Sequence, residues 1–240
     1  MPEPLLCELH AHTTWSDGAL TLPELVDLYG RSGFDVLVVT DHVVRDGEPG
    51  CVHGKALRSA DHAAYLAEIE AEAERARSVY GLLLTPGLEL TYDDPDPRLA
   101  AHALAVALRE FVDVNAGLEH ALAAARSHGA ALIAAHPYQL GELGGAPRTT
   151  ARYAEEPQWA AGAVDRFEVC NRHDFFAWVA RARLPVVANG DFHQPEHLAT
   201  WKTLLPAEKS EEAVVDYLRS KKPVFLAPFE PAPAAVDQAA

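Results

Sequence analysis

The sequence predicts an α/β protein whose parallel strands form a closed or nearly closed barrel. Short apolar runs alternate with helical stretches along the 240 residues, a pattern typical of α/β folds. About seven strand–helix repeats fit into roughly 230 residues, slightly fewer than the eight of a complete barrel. An open, doubly wound sheet is the alternative interpretation. No internal repeat and no domain linker is evident.

The strands are predicted where apolar residues run together between turn signals. Seven such runs are Leu5–His10, Asp35–Thr40, Leu82–Leu90, Ala101–Ala107, Ala130–Ala135, Val164–Val169 and Val186–Asn189. A last short strand is predicted at Val224–Leu226.

Helices are predicted between these strands from capping signals and composition. Thr21-Leu-Pro-Glu24 combines an N-cap, an early proline and a glutamate three residues on, which is a capping box. Ala60–Tyr80 is rich in Ala and Glu and therefore strongly helical. Asn115–Ser127 is followed by His128-Gly129, a typical helix end. Ser210–Ser220 forms the last predicted helix.

These elements predict one domain of residues 1–227, followed by a disordered tail rich in Pro and Ala at residues 228–240. Two long loops, 43–59 and 138–157, follow strands that carry conspicuous polar motifs. We expect both loops to shape or cover a pocket.

Charge and cysteine content restrict the class of protein. The formal net charge is −15, so duplex nucleic acid is not an expected partner, since phosphate contacts normally come from Lys and Arg. No apolar run is long enough to span a membrane. The start of the chain lacks the features of a signal peptide, and the three cysteines contain no C-x-x-C pair. We therefore expect a cytoplasmic protein without a disulfide framework.

Histidines and carboxylates recur where the predicted strands end. They are His10, His12, Asp17, His42, Glu89, His102, His136, Asp191 and His193. In a parallel barrel these strand ends converge on one mouth, where active sites lie. Imidazoles and carboxylates are the ligands of Zn, Mn and Fe sites. Nine such residues exceed the needs of one ion, so the pattern predicts a cluster of two or three divalent ions.

The ordered motif set resembles that of the PHP (polymerase and histidinol phosphatase) superfamily. The matching motifs, from residue 5 to about residue 200, are His10-x-His12-Thr13, Ser16-Asp17-Gly18, Thr40-Asp41-His42, Glu89, His102, His136 and Asp191-x-His193. The resemblance implies a distorted (β/α)7 barrel, a trinuclear metal site at the C-terminal ends of the strands, and phosphoester hydrolysis. Glu168 and Asn171 also resemble a family element.

The resemblance also implies which residues bind each ion. The first ion would be bound by His10, His12, Glu89 and Asp191, and the second by Glu89, as a bridge, with His102 and His136. The third would be bound by Asp17, His42 and His193.

The expected reaction is the attack of a metal-bridging hydroxide on a small phosphomonoester or nucleotide, because bound ions lower the pKa of water toward neutrality. Asp191 or His193 could move the proton. Arg172, after the sixth strand, is the leading candidate for binding phosphate, ahead of Arg148 and Arg152. Arg172 could equally pair with a nearby carboxylate.

Three other functions remain open from the sequence. An amidohydrolase-type C–N or lactone hydrolase also begins with H-x-H, but many of these bridge their metals with a mid-chain lysine. This chain has no lysine between Lys55 and Lys202. A non-catalytic PHP module typically loses ligands, and here none of the nine is missing. A single-strand nuclease would need basic and aromatic stripes, which the negative charge disfavours.

Overall fold

A curled mixed β-sheet forms the frame of the protein in the computed structural model, which describes residues 3–46, 55–141 and 150–231. The strands are β1 (Leu5–Ala11), β2 (Val36–Val39), β3 (His42–Val44), β4 (Leu83–Tyr92), β5 (Ala101–Val106), β6 (Ala131–Ala135), β7 (Arg166–Asn171), β8 (Asp174–Phe175), β9 (Val186–Asn189), β10 (Trp201–Leu205) and β11 (Phe225–Pro228). All eight strands predicted from the sequence are present, with bounds within two residues of those expected. The short strands β3, β8 and β10 were not predicted.

Helices follow most of the strands. They are α1 (Leu22–Arg31), α2 (His62–Tyr80), α3 (Leu118–Ser127), α4 (Arg152–Glu155), α5 (Pro157–Ala163), α6 (Ala177–Arg181) and α7 (Glu211–Arg219), with a 3₁₀ turn at Pro195–Leu198. The capping box before α1 is confirmed, with the backbone N–H of Thr21 donating to the Glu24 side chain at 2.9 Å. No described helix is both long and apolar enough to cross a membrane.

The strand order is β11-β10-β1-β2-β4-β5-β6-β7-β8, with β3 also paired to β4 and β9 to β7. Strands β1, β2 and β4 run parallel, as do β6, β7 and β9. Strand β5 is antiparallel to both of its neighbours, so the all-parallel (β/α)7 pattern is not confirmed. Only residues 93–100 connect β4 to β5, too few for the crossover that a parallel pair requires.

The sheet curls until β9 approaches β1. The backbone N–H of His12 donates to the carbonyl of Phe192 at 2.9 Å, and that of Phe192 donates to the carbonyl of His10 at 3.0 Å. The hydroxyl of Thr203 in β10 bonds both the N–H and the carbonyl of Ala188 in β9. The fold is therefore a mixed α/β structure with a curled half-barrel sheet, and the curl brings the end of β9 to the end of β1.

Two apolar clusters cover the two faces of the sheet. On β2, Leu37 and Val39 belong to the cluster that includes residues of α1, α2 and α3, whereas Val36 and Val38 belong to the cluster that includes α7. The alternation follows from the two-residue period of a strand.

The end of the chain was expected to be disordered from residue 228. Pro228 belongs to β11, and the Phe229 ring packs edge-on against Phe34 at 4.8 Å between centroids. Residues 232–240 of that predicted tail lie outside the described ranges, as do residues 47–54 and 142–149 of the two long loops.

Candidate metal centre

All nine predicted ligand residues lie at one end of the curled sheet. His10 is in β1, and His12 and Asp17 follow it, while His42 begins β3 and Glu89 lies inside β4. His136 follows β6, and Asp191 and His193 follow β9. His102 reaches the same place because β5 is reversed, so that the start of β5 pairs with Ala135 at the end of β6. The antiparallel strand is thus what brings His102 to the others.

Glu89 lies at the centre of the group and is fully buried. Its Oε2 atom lies 3.1 Å from His10 Nε2, 3.3 Å from His12 Nε2 and 3.2 Å from His42 Nδ1. Its Oε1 atom lies 2.9 Å from His102 Nδ1 and 3.2 Å from His136 Nε2. One carboxylate therefore contacts five imidazoles with its two oxygens.

A second carboxylate, Asp191, lies beside the first. Its Oδ1 atom is 3.3 Å from His10 Nε2, 3.4 Å from His12 Nε2 and 3.3 Å from His193 Nδ1. Asp17 provides a third, with contacts of 3.5 Å to His42 Nε2 and 3.2 Å to His193 Nε2.

These atoms form three overlapping groups in which all ligand atoms lie within 4.8 Å of one another. The groups are His12, Asp17, His42 and His193; His10, Glu89 and His136; and His10, His12 and Asp191. Their grouping resembles the sets that the motifs imply, with two differences: His10 and His12 are each shared by two groups, and Glu89 belongs only to the group with His10 and His136. His102 belongs to none of the three groups found among the described residues, although it contacts Glu89.

The side chains fit divalent cations on two observations. Both ring nitrogens of His12 and the Oδ1 atom of Asp191 are buried without a hydrogen-bond partner within the described part of the chain. Buried polar atoms are normally satisfied, because leaving them unpaired costs free energy. The donor set itself, imidazole nitrogen with carboxylate oxygen, is that of Zn, Mn and Fe sites. A divalent ion would satisfy Asp191 Oδ1 and one of the two ring nitrogens of His12.

The carboxylates and imidazoles of the candidate metal centre shift one another's pKa. Burial raises the pKa of Glu89, but the imidazoles of His42 and His10 outweigh burial and hold that pKa well below its usual range. The pKa of Asp191 is lowered in the same way, chiefly by His10. Burial lowers the pKa of His10, but Asp191, Glu168 and Glu89 raise it well above the ordinary histidine value. These pKa shifts favour ionised Glu89 and Asp191 beside a protonated His10.

Glu168 accepts hydrogen bonds from two of the histidines. Its Oε1 atom accepts from His10 Nδ1 at 2.9 Å and from Asn189 Nδ2 at 2.8 Å. Its Oε2 atom accepts from the backbone N–H of His136 and from Asn171 Nδ2, both at 2.7 Å. A carboxylate that holds the distal nitrogen of an imidazole fixes its tautomer and orientation. The Glu-x-x-Asn spacing at the end of β7 was the sequence signal for this network.

Three further partners of the histidines were not found from the sequence. Thr91 bonds His42 Nδ1 at 2.7 Å, and Asp93 bonds His102 Nε2 at 2.9 Å. Thr150 lies 3.3 Å from His136 Nδ1. Thr91 is two residues from Glu89 on the same strand, so strand alternation was the signal that could have identified it.

A cavity of about 250 Å³ opens beside the histidines. It is lined by His102, His136 and His193 together with Arg172, Tyr138, Thr150, Asp93 and Asp174 among others. A substrate in this cavity would contact the exposed side of the candidate metal centre.

Arg172 both borders the cavity and pairs with a carboxylate. Its Nη2 atom lies 3.2 Å from Asp191 Oδ2 and donates to His193 Nδ1 at 2.8 Å. Of the two weaker candidates, Arg152 pairs with Glu119 and Glu156 and stacks on Trp159, and it is not a lining residue of the cavity. Arg148 lies outside the described residues.

Three residues of this site have left-handed backbone conformations. The φ angles are 28° at His136, 50° at Arg172 and 45° at Asp191. For residues with a side chain such angles are uncommon and persist where the surrounding structure enforces them, often at functional sites. The backbone is therefore constrained where β6, β7 and β9 reach the histidines.

No protein-family model and no curated protein matches the sequence. Among solved structures, the chain is similar to a two-domain protein from Bacteroides vulgatus that contains a predicted PHP-like metal-dependent phosphoesterase. The TM-score is 0.65 at 22% sequence identity, and the match covers 95% of this chain and 67% of the other. A protein from Bifidobacterium adolescentis, also named by prediction as a metal-dependent phosphoesterase, matches with a TM-score of 0.49 at 17% identity over 79% of this chain and 88% of its own. The resemblance that the motifs indicated is thus confirmed for the fold, which this chain shares with the Bacteroides vulgatus protein.

Proposed function

We propose that the chain is a PHP-superfamily enzyme that hydrolyses a small phosphomonoester or nucleotide with the help of two or three divalent metal ions. The observation that carries this proposal is the convergence of five imidazoles on the two oxygens of Glu89, beside a cavity that Arg172 borders. The sequence motifs and the shared fold support the same class of enzyme.

The proposed binding of the ions keeps the three ligand sets that the motif resemblance implies. His10, His12, Glu89 and Asp191 would bind the first ion, and Glu89, His102 and His136 the second. Asp17, His42 and His193 would bind the third. Zn, Mn and Fe all suit this donor set. When bound, such ions supply an activated water molecule and positive charge for the phosphate oxygens.

Protein side chains would complete the reaction. Arg172 would donate hydrogen bonds to a phosphate oxygen in the cavity, since a guanidinium is well suited to phosphate geometry. Asp191 would hold the proton of the attacking water on its carboxylate. Asp191, which lines the cavity beside His193, would then give that proton to the leaving oxygen.

The surroundings of the cavity favour a small substrate with few phosphates. The volume of about 250 Å³ lies just below the usual range for small-molecule sites, which begins at about 300 Å³. Asp93 and Asp174 line it as well, and the chain carries a net charge of −15. Both would repel a long nucleic acid.

We also propose a cytoplasmic location, because Cys7 and Cys170 are buried free thiols, which suits a reducing compartment.

The competing amidohydrolase mechanism with a bridging lysine gains no support. Lys202 is fully buried, and its Nζ atom lies 2.5 Å from Glu8 Oε2. Neither Lys55 nor Lys202 is among the residues that contact Glu89.

The test is a metal analysis of the purified protein combined with a phosphate-release screen over sugar phosphates, nucleotides, histidinol phosphate and an aryl phosphate. We expect two to three bound ions per chain and release of phosphate from at least one small monoester. Glu89→Gln should lose both metal and activity. A fully metallated protein that released no phosphate from any of these compounds would contradict the phosphoesterase proposal.

A further inference from the structure

We infer that the buried pair of Glu8 and Lys202 positions Asp191 for metal binding, by holding the backbone at Gly190. This inference rests on the metal centre of the proposed function. It concerns two residues that are not among the predicted ligands.

Lys202, in β10, is fully buried and has its ammonium group surrounded by oxygen acceptors. Its Nζ atom lies 2.5 Å from Glu8 Oε2, 2.9 Å from Thr200 Oγ1 and 3.4 Å from the carbonyl of His197. An ammonium group has three protons to donate, so all three have an acceptor. The charge of Lys202 is thus compensated in the interior by that of Glu8.

Glu8, in β1, is also fully buried. Both of its oxygens accept from the backbone N–H of Gly190, at 2.9 and 3.1 Å. Its Oε1 atom also lies 3.3 Å from the backbone N of His10, and Tyr29 OH donates to its Oε2 atom at 3.1 Å. One carboxylate thereby joins the end of β1 to the turn after β9.

The turn leaves no room for a side chain at Gly190. A Cβ atom there would lie 2.6 Å from Glu8 Oε2 and 2.7 Å from the carbonyl of His197, and it would also overlap Lys202 Nζ. The backbone therefore packs directly against the buried pair. The pair thus fixes the position of the backbone at the residue before Asp191.

The position of Asp191 is sensitive to this constraint. Its φ of 45° lies in the left-handed region, which is uncommon for residues with a side chain, although aspartate tolerates it better than most. Its Oδ1 atom lies within 3.4 Å of nitrogens on His10, His12 and His193. If the Gly190 N–H lost its acceptor, the backbone could relax and carry this carboxylate away from the three imidazoles.

The experiment compares the double variant Glu8→Met/Lys202→Met, which removes the acceptor of the Gly190 N–H, with the wild type, using Co²⁺ alone as the probe. Removing both charges together avoids leaving one of them buried without compensation. We expect 10- to 100-fold weaker Co²⁺ binding, as for other groups that orient metal ligands. We also expect a changed Co²⁺ absorption spectrum, which a purely structural role of the pair would not produce.

Arg166→Met is the matched control, because it removes a fully buried cation whose partners are the carbonyls of Val186, Tyr217, Leu218 and Lys222. It should leave Co²⁺ affinity and spectrum unchanged even if the protein becomes less stable. Unaltered Co²⁺ affinity and spectrum in the folded double variant would overturn the inference.

If the double variant does not fold, Tyr29→Phe decides, since it removes a single hydrogen bond to Glu8. Weaker Co²⁺ binding by this variant supports the inference, and wild-type binding overturns it. A wild-type protein that bound no Co²⁺ would overturn the inference together with the metal centre. If the variants lose Co²⁺ affinity as expected but the wild type releases no phosphate from any compound, only the proposed phosphoesterase activity is contradicted.

Discussion

The Oε1 atom of Glu168 lies 2.9 Å from Nδ1 of His10, and both side chains are fully buried. This contact leaves Nε2 of His10 directed at Glu89 and Asp191, at 3.1 and 3.3 Å. Glu168 therefore selects which nitrogen of His10 is available to a metal ion. It also accepts from the backbone N–H of His136, so one carboxylate orients two of the predicted ligands.

Replacing Glu168 with Gln should weaken metal binding about 10- to 100-fold, because the amide holds the imidazole of His10 less firmly. Titration of the metal-free variant with Zn²⁺ or Mn²⁺ measures the change. Asp165→Asn, on the same segment but bonded to Arg126 and to the N–H of Leu132, is the control and should bind metal normally. Equal affinity in Glu168→Gln and wild type would argue against an orienting role.

Removing the metal ions should lower the thermal stability of the protein. A ligand that binds only the folded state at about 1,000 times its Kd stabilises it by about 4 kcal/mol. For a chain of this size that amounts to a fall in Tm of ~10 °C on chelation, which added Zn²⁺ or Mn²⁺ should reverse. Differential scanning calorimetry measures both steps. Glu89→Gln should show no such response, whereas a Tm that ignores chelation in the metal-loaded wild type would contradict the metal centre.

Arg172→Met should raise KM for a monoester about tenfold or more, because it removes a charge-assisted hydrogen bond to the phosphate. Arg172→Lys keeps the charge but loses the planar fork, and it should be less impaired. Steady-state kinetics with matched metal content separate this effect from a loss of metal. Should Arg172→Met keep its KM but lose bound metal, the arginine would act only through Asp191 and His193, which it contacts.

Arg166→Met should destabilise the fold by about 2–4 kcal/mol. The guanidinium of Arg166 donates to backbone carbonyls at and after the C-terminal end of α7, including those of Tyr217, Leu218 and Lys222. Its removal leaves the buried carbonyl of Leu218 and the partly buried carbonyls of Tyr217 and Lys222 unsatisfied, and a buried unsatisfied acceptor costs about 1–3 kcal/mol. Urea unfolding of the metal-free protein measures the loss. A variant as stable as wild type would show that water or backbone movement replaces these bonds.

His62 should make the protein less stable in mild acid. Burial lowers the pKa of His62 in the folded state, and the nearby Glu110 opposes the shift only in part. The unfolded chain, with a histidine pKa of about 6.5, therefore binds a proton first as the pH falls, and stability is lost below that value. His62→Phe, which keeps an aromatic ring against Phe111, should reduce the fall in Tm between pH 7 and pH 5. The exposed His120 offers the control, since His120→Gln should leave that fall unchanged.

Several features of the fold and of the site could be predicted because their causes are local in sequence. The capping box at Thr21 and Glu24 lies within one helical turn, and the apolar runs of the eight predicted strands lie within ten residues each. The nine histidines and carboxylates were recognisable from their position at strand ends, and the structure brings them together, His102 through its contact with Glu89.

Other features depend on which segments meet, and no local pattern encodes that. The sequence by itself determined the elements and the residue types that they carry to one end of the sheet. Only the tertiary structure decided that β5 is antiparallel, which delivers His102 to Glu89, since strand direction depends on the pairing partner. It also decided the contacts of Glu168 with His10, 158 residues away, and of Lys202 with Glu8, 194 residues away. Such contacts are made by the curl of the whole sheet, so the burial that gives them their strength exists only after the fold has formed.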